Sequence, residues 1–589
     1  MLAKPFFVRP VTMMKNHNFE HATLAFITCC LLVLAYALSF DGHQLPLAFF
    51  WIPLVVAIGL VVFQCSVVET SSLRVNIVLV EVLAIGTLAH FLYVIPAGAG
   101  VIGRDIFADL RATQYDQEFG WPIPASVQVT GITRIVSEWP LSHFLGLAAS
   151  YLLGIDLFSV SNPNNVMRWF PSVVSLATPL FWYTIAKRLY GRADVGLLAS
   201  LASSLVFYNM MFHAWYVRET VAYVLLFAFI LAFMIASLEP NLALRMKVVA
   251  ILFLVGLLFS HHLTFLFALL FLTLALLLPN LVGRVLHLKT GSQETSARQA
   301  PLPAGVLLLA GATMFLAYLI YVGEPVFKVL VESTQALFAP TIVISVRSSG
   351  DAISRDRILL AARLVFGVIF AAFLVRQISR KEKTLGWDIL GFAWGVATGL
   401  VVGVSYFVAN VVNAGILRLE AFAWPIVLLP ASHALVGQRG RAVGSMVLVA
   451  FIVLNVLIIP PYIYDSTASP AYQDGETSIR YSLALYAAAT WFRANGTIVG
   501  DVSTFELFGD LGQRQVVTDF QIFQGNLTGI SQYQWIVLRQ ENANVVVSLT
   551  GSQTITRVSQ STWDLFNSTD AVSKVYDSGD VEIFRVNQP

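Results

Sequence analysis

The stretch LSHFLGLAASYLL, residues 141–153, decides how this chain is arranged. Thirteen residues make a helix of roughly 20 Å, at ~1.5 Å per residue, while a bilayer core is ~30 Å thick. Counted as a full crossing, it would reverse the side of every later segment and put the basic run RQISRKEK (376–383) outside. Read as an interfacial or re-entrant helix, it closes a large outer loop from about 96 to 168.

Outward from that stretch, apolar runs recur at 23–40, 46–63, 76–95, 169–186, 193–209, 220–238, 248–260, 263–278, 304–322, 358–375, 387–407, 421–436 and 443–461. With residues 1–22 in the cytoplasm and sides alternating, the inner segments hold 18 basic residues, among them Arg188, Lys247 and Lys381. The outer loops before residue 462 hold ten, spread over more chain. Positive charge collects on the cytoplasmic side, so this arrangement agrees with the usual bias. Thirteen spans then place residues 462–589 outside.

Composition agrees with that reading. The 589 residues are 57% hydrophobic and 12% charged, against ~45–50% and ~25% in soluble domains. The N-terminus (Lys4, Arg9, Lys15, then apolar from Thr23) starts like a signal peptide. No small-residue cleavage site follows, so an uncleaved first helix is expected. Cys29, Cys30 and Cys65 lie in or beside the first two spans and give no disulfide framework or cysteine metal site. No phosphate-cradling glycine loop, His/Cys metal spacing or hydrolase elbow is present, which argues against nucleotide hydrolysis. From about Arg480 the composition turns soluble. A helix (RYSLALYAAATWFRANG) leads to strands at TIVGD, RQVVTDF, WIVLRQ and NVVVSL and to a terminal hairpin turning on Asp-Ser-Gly-Asp. The expected fold is an all-α polytopic bundle, 23–461, with a small α/β domain, 462–589.

Charge gathers on the outer side. Loop 96–140 carries Arg104, Asp105, Asp109, Arg111, Asp116, Glu118, Arg134 and Glu138, and loop 323–357 carries Glu324, Glu332, Asp351 and Asp356. Shorter loops add His213, Arg218, Glu219, His261, His262, Arg418 and Glu420. Acidic and basic groups meeting at one end of a bundle suit a phosphate-bearing substrate. Inside the third span, Glu81 is a functional candidate or a neutral, hydrogen-bonded acid.

The loop sequence GRDIFADLRATQYDQEFGWPI (103–123), the Trp-Pro-Leu at 139–141 and the basic-ended span RWFPSVVSLATPLFWYTIAKRLYGR (168–192) resemble the GT-C superfamily of polyprenyl-phosphate-dependent glycosyltransferases. The stretches HAWYVRETVAY (213–223), LFSHHLTF (258–265), ILRLEAFAWP (416–425) and the ending KVYDSGDVEIFRV are similar to archaeal and bacterial oligosaccharyltransferases. The likeness follows the order of most of the chain, except that the pair of spans at 23–63 precedes the usual first helix. It implies an acidic residue essential for catalysis at the head of the first outer loop, here Asp105. It also implies a polyprenyl-phosphate sugar donor and a glycan, lipid or protein acceptor in a lipid membrane, with no nucleic acid. Two departures matter. The Trp-Trp-Asp motif of oligosaccharyltransferases is absent, and so is the paired Asp-Glu of protein mannosyltransferases. These absences argue against those two activities and leave transfer of one sugar or a short unit.

On that resemblance the catalytic candidates are Asp105 and Asp109, and the substrate-binding candidates are Arg418, Arg111, Arg218, Glu219 and His262. Asp105 could act as general base or hold a divalent cation, Mg or Mn, against the donor phosphate. Alternatively it is a surface carboxylate paired with Arg104 or Arg111. Asp109, one helical turn on, could share the cation or orient Asp105, or lie on a solvated face. Arg418, and more weakly Arg363, could grip a lipid phosphate; the plain alternative is a snorkelling helix-end arginine paired with Glu420. Arg218 and Glu219 could bridge each other at the cavity rim. His261 and His262 diverge by ~100° on a helix, so at least one is expected to be structural. The rival functions are a transporter or flippase, which predicts repeats and broken helices, a non-catalytic scaffold, and a ligase or polymerase of surface glycans, whose long outer loop usually comes late.

Overall fold

The structure, a computed structural model, describes residues 9–38, 48–94, 106–155, 157–158, 166–285, 301–323, 441–457, 483–543 and 558–587, apart from short internal gaps, together with isolated residues such as Leu428 and His433. Asp105, Arg363, Arg418, the RQISRKEK run and the NVVVSL segment lie outside the described residues, as does nearly all of 324–427.

Helices run in chain order as α1 (Arg9–Leu38), α2 (Ala48–Val67), α3 (Ser72–Val94), α4 (Ile106–Phe119), α5 (Gly131–Val136), α6 (Leu141–Leu153), α7 (Val166–Ser175), α8 (Ala177–Tyr190), α9 (Ala193–Ser204), α10 (Arg218–Leu238), α11 (Ala243–Ser260), α12 (His262–Val285), α13 (Pro301–Tyr321) and α14 (Arg441–Leu457). Among the described residues, five helical stretches are long and apolar enough to cross a membrane: 18–35, 73–90, 218–238, 240–260 and 304–321. At ~1.5 Å per residue the 21-residue α10 and α13 are each about 30 Å long, the thickness of a bilayer core.

The span expected at 169–186 is two helices meeting at Leu176. Pro171 lies within α7, and Pro179 falls in the first turn of α8, where its missing N–H costs nothing. Helix α8 stops at Gly191, whose left-handed φ of 64° returns its N–H to the carbonyl of Lys187. Helix α6 keeps the 13 residues of its sequence and ends on left-handed Gly154. Ser142, His143, Gly146 and Leu147 are buried on one stripe of it, while Phe144, Leu145 and Leu152 are exposed. Glu81 accepts from the Gln64 amide (3.1 Å), which also donates to Thr23, tying α3, α2 and α1 together inside the bundle.

The C-terminal part is a five-stranded sheet, order β2-β1-β3-β5-β4, with β1 Ile498–Val499, β2 Val516–Val517, β3 Trp535–Arg539, β4 Val572–Asp577 and β5 Val581–Val586. β1 pairs in parallel with β2 and β3, and β5 is antiparallel to β3 and β4. Helices α15 (Leu483–Trp491), α16 (Phe520–Phe523) and α17 (Gln560–Ser568) cover it. The period-2 alternation of strands sorts the core to two faces. Val537, Val581 and Ile583 join one cluster, and Ile536, Leu538, Phe584 and Val586 the other. The first cluster contains Ile106, Phe107 and Leu110 of α4 together with Leu485, Phe492, Leu507 and Phe508. The apolar stripe of α4 is therefore part of the C-terminal core. Behind β1 and β3, buried Asp501 binds Arg539 and accepts from Asn542 and Thr504. Burial alone would push its carboxyl up, but the Arg539 guanidinium and these donors hold it below the usual range.

Candidate functional site

Helix α4 presents its apolar stripe to the C-terminal sheet and a polar stripe, Asp109, Thr113 and Asp116 at i, i+4 and i+7, to the helical bundle. All three are buried. Buried carboxylates need partners, and these come from elements far along the chain. Arg218, the first residue of α10, donates from Nη1 to Asp109 Oδ2 at 3.0 Å. His143, on α6, stands between the two acids, with Nε2 3.3 Å from Asp109 Oδ1 and Nδ1 2.7 Å from Asp116 Oδ2.

The continuous line Asp116–His143–Asp109–Arg218 fixes the proton inventory. Two contacts between imidazole nitrogens and carboxylate oxygens need two protons, and a neutral imidazole supplies one. The second sits on His143 as imidazolium or on a carboxyl. Burial alone would lower the His143 pKa, but hydrogen bonds and charge from Asp109 and Asp116 push it up to about 9. Burial also raises the carboxyls of Asp109 and Asp116, against the pull of Arg218 on the former and of His143 on both. With His143 protonated, two acids face two cations and the buried line is neutral. Losing that proton would leave one buried carboxylate uncompensated, so the line favours keeping it.

Around this line, Thr113 Oγ1 donates to the Asp109 carbonyl at 2.7 Å and lies 3.5 Å from the Tyr216 hydroxyl. Burial pushes the Tyr216 phenol well above its ordinary value, so it stays protonated. Glu219 faces His261 Nε2 at 3.3 Å, and His261 Nδ1 meets Thr264 Oγ1 at 2.8 Å. The chain is extended at His261 between α11 and α12, and the His261 ring stays against that of His262, centroids 4.9 Å apart. His262 also lies over Trp139, ring centroids 5.0 Å apart, and Trp139 stacks on Tyr318 at 5.0 Å. The Tyr318 hydroxyl donates to the Glu138 carbonyl.

Of the residues singled out by sequence, Asp109 and Arg218 meet directly and Glu219 pairs with His261. Asp109 is not on a solvated face: it is fully buried. Arg111 turns to its own helix, donating to Gln114 and the Tyr115 hydroxyl with its guanidinium 4.4 Å from the Tyr115 ring centroid. His262 belongs to the aromatic stack with Trp139. Sequence reasoning misses His143 as a functional residue. The available signal is an imidazole near the start of an apolar helix, opposite two acids spaced i and i+7. Among the described residues no group of three or more His, Cys, Asp or Glu is disposed to hold a metal. Asp109 Oδ2 and Oδ1 are already engaged by a guanidinium and an imidazole, a poor setting for a divalent cation.

No family model and no curated protein sequence matches the chain. Solved structures similar to it include the apo oligosaccharyltransferase of Archaeoglobus fulgidus, 11% identical, covering 78% of this chain and 69% of that one, with a TM-score of 0.46. The same archaeal enzyme, AglB, with an inhibitory peptide and a dolichol-phosphate, is 12% identical over 78% of this chain and 69% of that one, with a TM-score of 0.45. ArnT from Cupriavidus metallidurans bound to undecaprenyl phosphate is 11% identical over 86% of this chain and 97% of that one, with a TM-score of 0.48.

Proposed function

We propose that this chain is a GT-C-type membrane glycosyltransferase that moves a sugar from a polyprenyl-phosphate donor to a glycan, lipid or protein acceptor at the outer face of the membrane. The observation that carries the reading is the buried line Asp116–His143–Asp109–Arg218, set on the loop helix whose sequence resembles the catalytic loop of that superfamily. In this reading residues 1–22 are cytoplasmic, 23–461 form the spanning domain with outer loops 96–168 and 323–357, and 462–589 form an extracytoplasmic domain over the site.

The reaction joins an acceptor hydroxyl oxygen to sugar C1 with inversion. The C1–O bond to phosphate breaks, polyprenyl phosphate leaves, and the hydroxyl proton passes to a carboxylate. Asp105 is the proposed base, and Asp109 holds α4 in register through Arg218 and His143. Arg418 is the proposed grip on the donor phosphate, and Arg218 adds positive charge nearby. General-base help of this kind contributes ~10²–10⁴-fold in rate, about 3–5 kcal/mol.

The test uses purified protein in proteoliposomes with a radiolabelled polyprenyl-phosphate sugar, reading release of polyprenyl phosphate and capture of label. Asp105→Asn should abolish turnover while the protein remains folded. Arg418→Ala should weaken donor binding, with activity partly recovered at high donor. Donor consumption by Asp105→Asn at the parent rate would refute the assignment.

A further inference from the structure

The chain contains three Asn-x-Thr sequons, at Asn495, Asn526 and Asn567, and all three lie in the C-terminal domain. Each asparagine is exposed on the folded surface. We propose that the C-terminal domain is itself an N-glycosylated module, with Asn526 as its principal modification site.

Local geometry separates the three. Asn526-Leu-Thr528 is bracketed by two left-handed glycines, Gly525 (φ 85°) and Gly529 (φ 79°), which throw it out as a tight surface turn. Its Oδ1 accepts from the Thr528 N–H at 3.0 Å, an Asx turn that fixes the side chain on the backbone. The oxygen is thus occupied, and among the described residues the amide Nδ2 donates to nothing. Leu527 and Phe523 beneath it pack into the core on the sheet face turned away from α4. A glycan on Asn526 would therefore project from the face opposite the docking surface. Asn495 also precedes a left-handed glycine, Gly496 (φ 117°), in an exposed loop. Asn567 sits inside α17, and its Nδ2 donates to the Trp563 carbonyl at 3.1 Å. The order of occupancy is Asn526, then Asn495, then Asn567.

Modification replaces one N–H of the Asn526 amide by a bond from Nδ2 to C1 of a glycan. The donor is a lipid-phosphate or lipid-pyrophosphate oligosaccharide, whose C1–O bond breaks. The lipid phosphate leaves, and the amide proton goes to a base of the transferring enzyme, a separate oligosaccharide transferase. The proposal needs the domain outside but does not depend on the catalytic residues proposed above.

The full-length protein, isolated from its own membranes, is analysed by peptide mass spectrometry and gel mobility. The expected result is a glycan-bearing peptide spanning Asn526 and a mobility step lost in Asn526→Gln. Thr528→Ala, which leaves the asparagine in place, should lose the same step, and Thr528→Ser should retain part of it. An Asp105→Asn protein without transferase activity should keep the step, which separates this proposal from the enzymatic one. Finding Asn526 unmodified in the parent, or an equal mobility step in Asn526→Gln, would overturn it.

Discussion

Asp109 and His143 are 34 residues apart in sequence yet meet in the protein's interior, Oδ1 to Nε2 at 3.3 Å, with neither exposed. The contact joins the polar stripe of α4 to the buried stripe of α6, so the two loop helices hold each other through a proton. Arg218 on the other carboxylate oxygen extends that hold to α10, a helix long enough to cross a bilayer. A displacement of any one of these three helices is felt at Asp109.

Stability should fall as pH rises from about 6.5 to about 9. His143 in the folded protein titrates at about 9, above the ~6.5 of an unfolded chain. Its contribution is fully present below about 6.5 and is lost as pH climbs through 9. Each pH step of one between those two values removes at most ~1.4 kcal/mol. Thermal unfolding in detergent at about pH 6 and about pH 9.5, on either side of that window, measures the difference. His143→Gln should be less stable at the lower pH and flatter between the two. A parallel profile in the variant would mean that the imidazole carries no extra proton in the fold.

The Asp109–Arg218 pair should show strong coupling. Arg218→Met leaves a buried carboxylate without its guanidinium, a loss of about 3–5 kcal/mol. Asp109→Asn alone strands the cation in the same way. Combining them removes both charges, so the double variant should recover part of the loss and unfold at a higher temperature than the sum of singles requires. Simple additivity would show that the two charges are not energetically joined.

What is legible in the sequence follows from what determines each feature. The apolar helices, the short stretch 141–153 and the terminal hairpin are set by local composition and period, and those regions carry helices α1–α3 and α6–α14 and strands β4 and β5. The break at Leu176 escapes such a reading because Pro171 and Pro179 stand in an unbroken apolar run. Asp109 and Arg218 each stand out in sequence, but their pairing, like the role of His143, is a property of tertiary structure. No spacing rule links residues 34 or 109 positions apart. Arg111 misleads because charge in a motif says nothing of direction. One residue position on a helix is ~100°, enough to turn it from the site to its own Tyr115.

The docking of the C-terminal domain on α4 should matter for function. Phe508 is fully buried in the core that also contains Ile106, Phe107 and Leu110. Phe508→Ala should cost about 3–5 kcal/mol locally. Limited proteolysis should then release a C-terminal fragment sooner, and sugar transfer should drop with it. Phe566→Ala, in the core on the other sheet face, is the control: similar loss of domain stability with less effect on α4. Equal effects of the two on transfer would mean that the shared core does not position the site.

Gly146 sets how closely α6 approaches the loop before α10. A Cβ at this position would collide with the Tyr216 hydroxyl and would lie 2.9 Å from two ring carbons. Tyr216 is buried, its ring against Phe170 (centroids 6.2 Å apart) and its hydroxyl 3.5 Å from Thr113. The ring cannot swing into solvent as a flexible chain would. Two effects oppose each other in Gly146→Ala. Alanine favours a helix interior over glycine by about 1 kcal/mol, while forcing a methyl into a filled site costs ~1–3 kcal/mol. Overpacking wins, and because Gly146 lies one turn from His143 on the same buried stripe, the strain falls on the Asp109 contact. Gly146→Ala should lower both thermal stability and sugar transfer. Adding Tyr216→Phe, which removes the nearest colliding atom, should restore part of each. A Gly146→Ala protein as stable and active as the parent would mean that α6 has room to shift, and that His143 is not held against Asp109 by this approach.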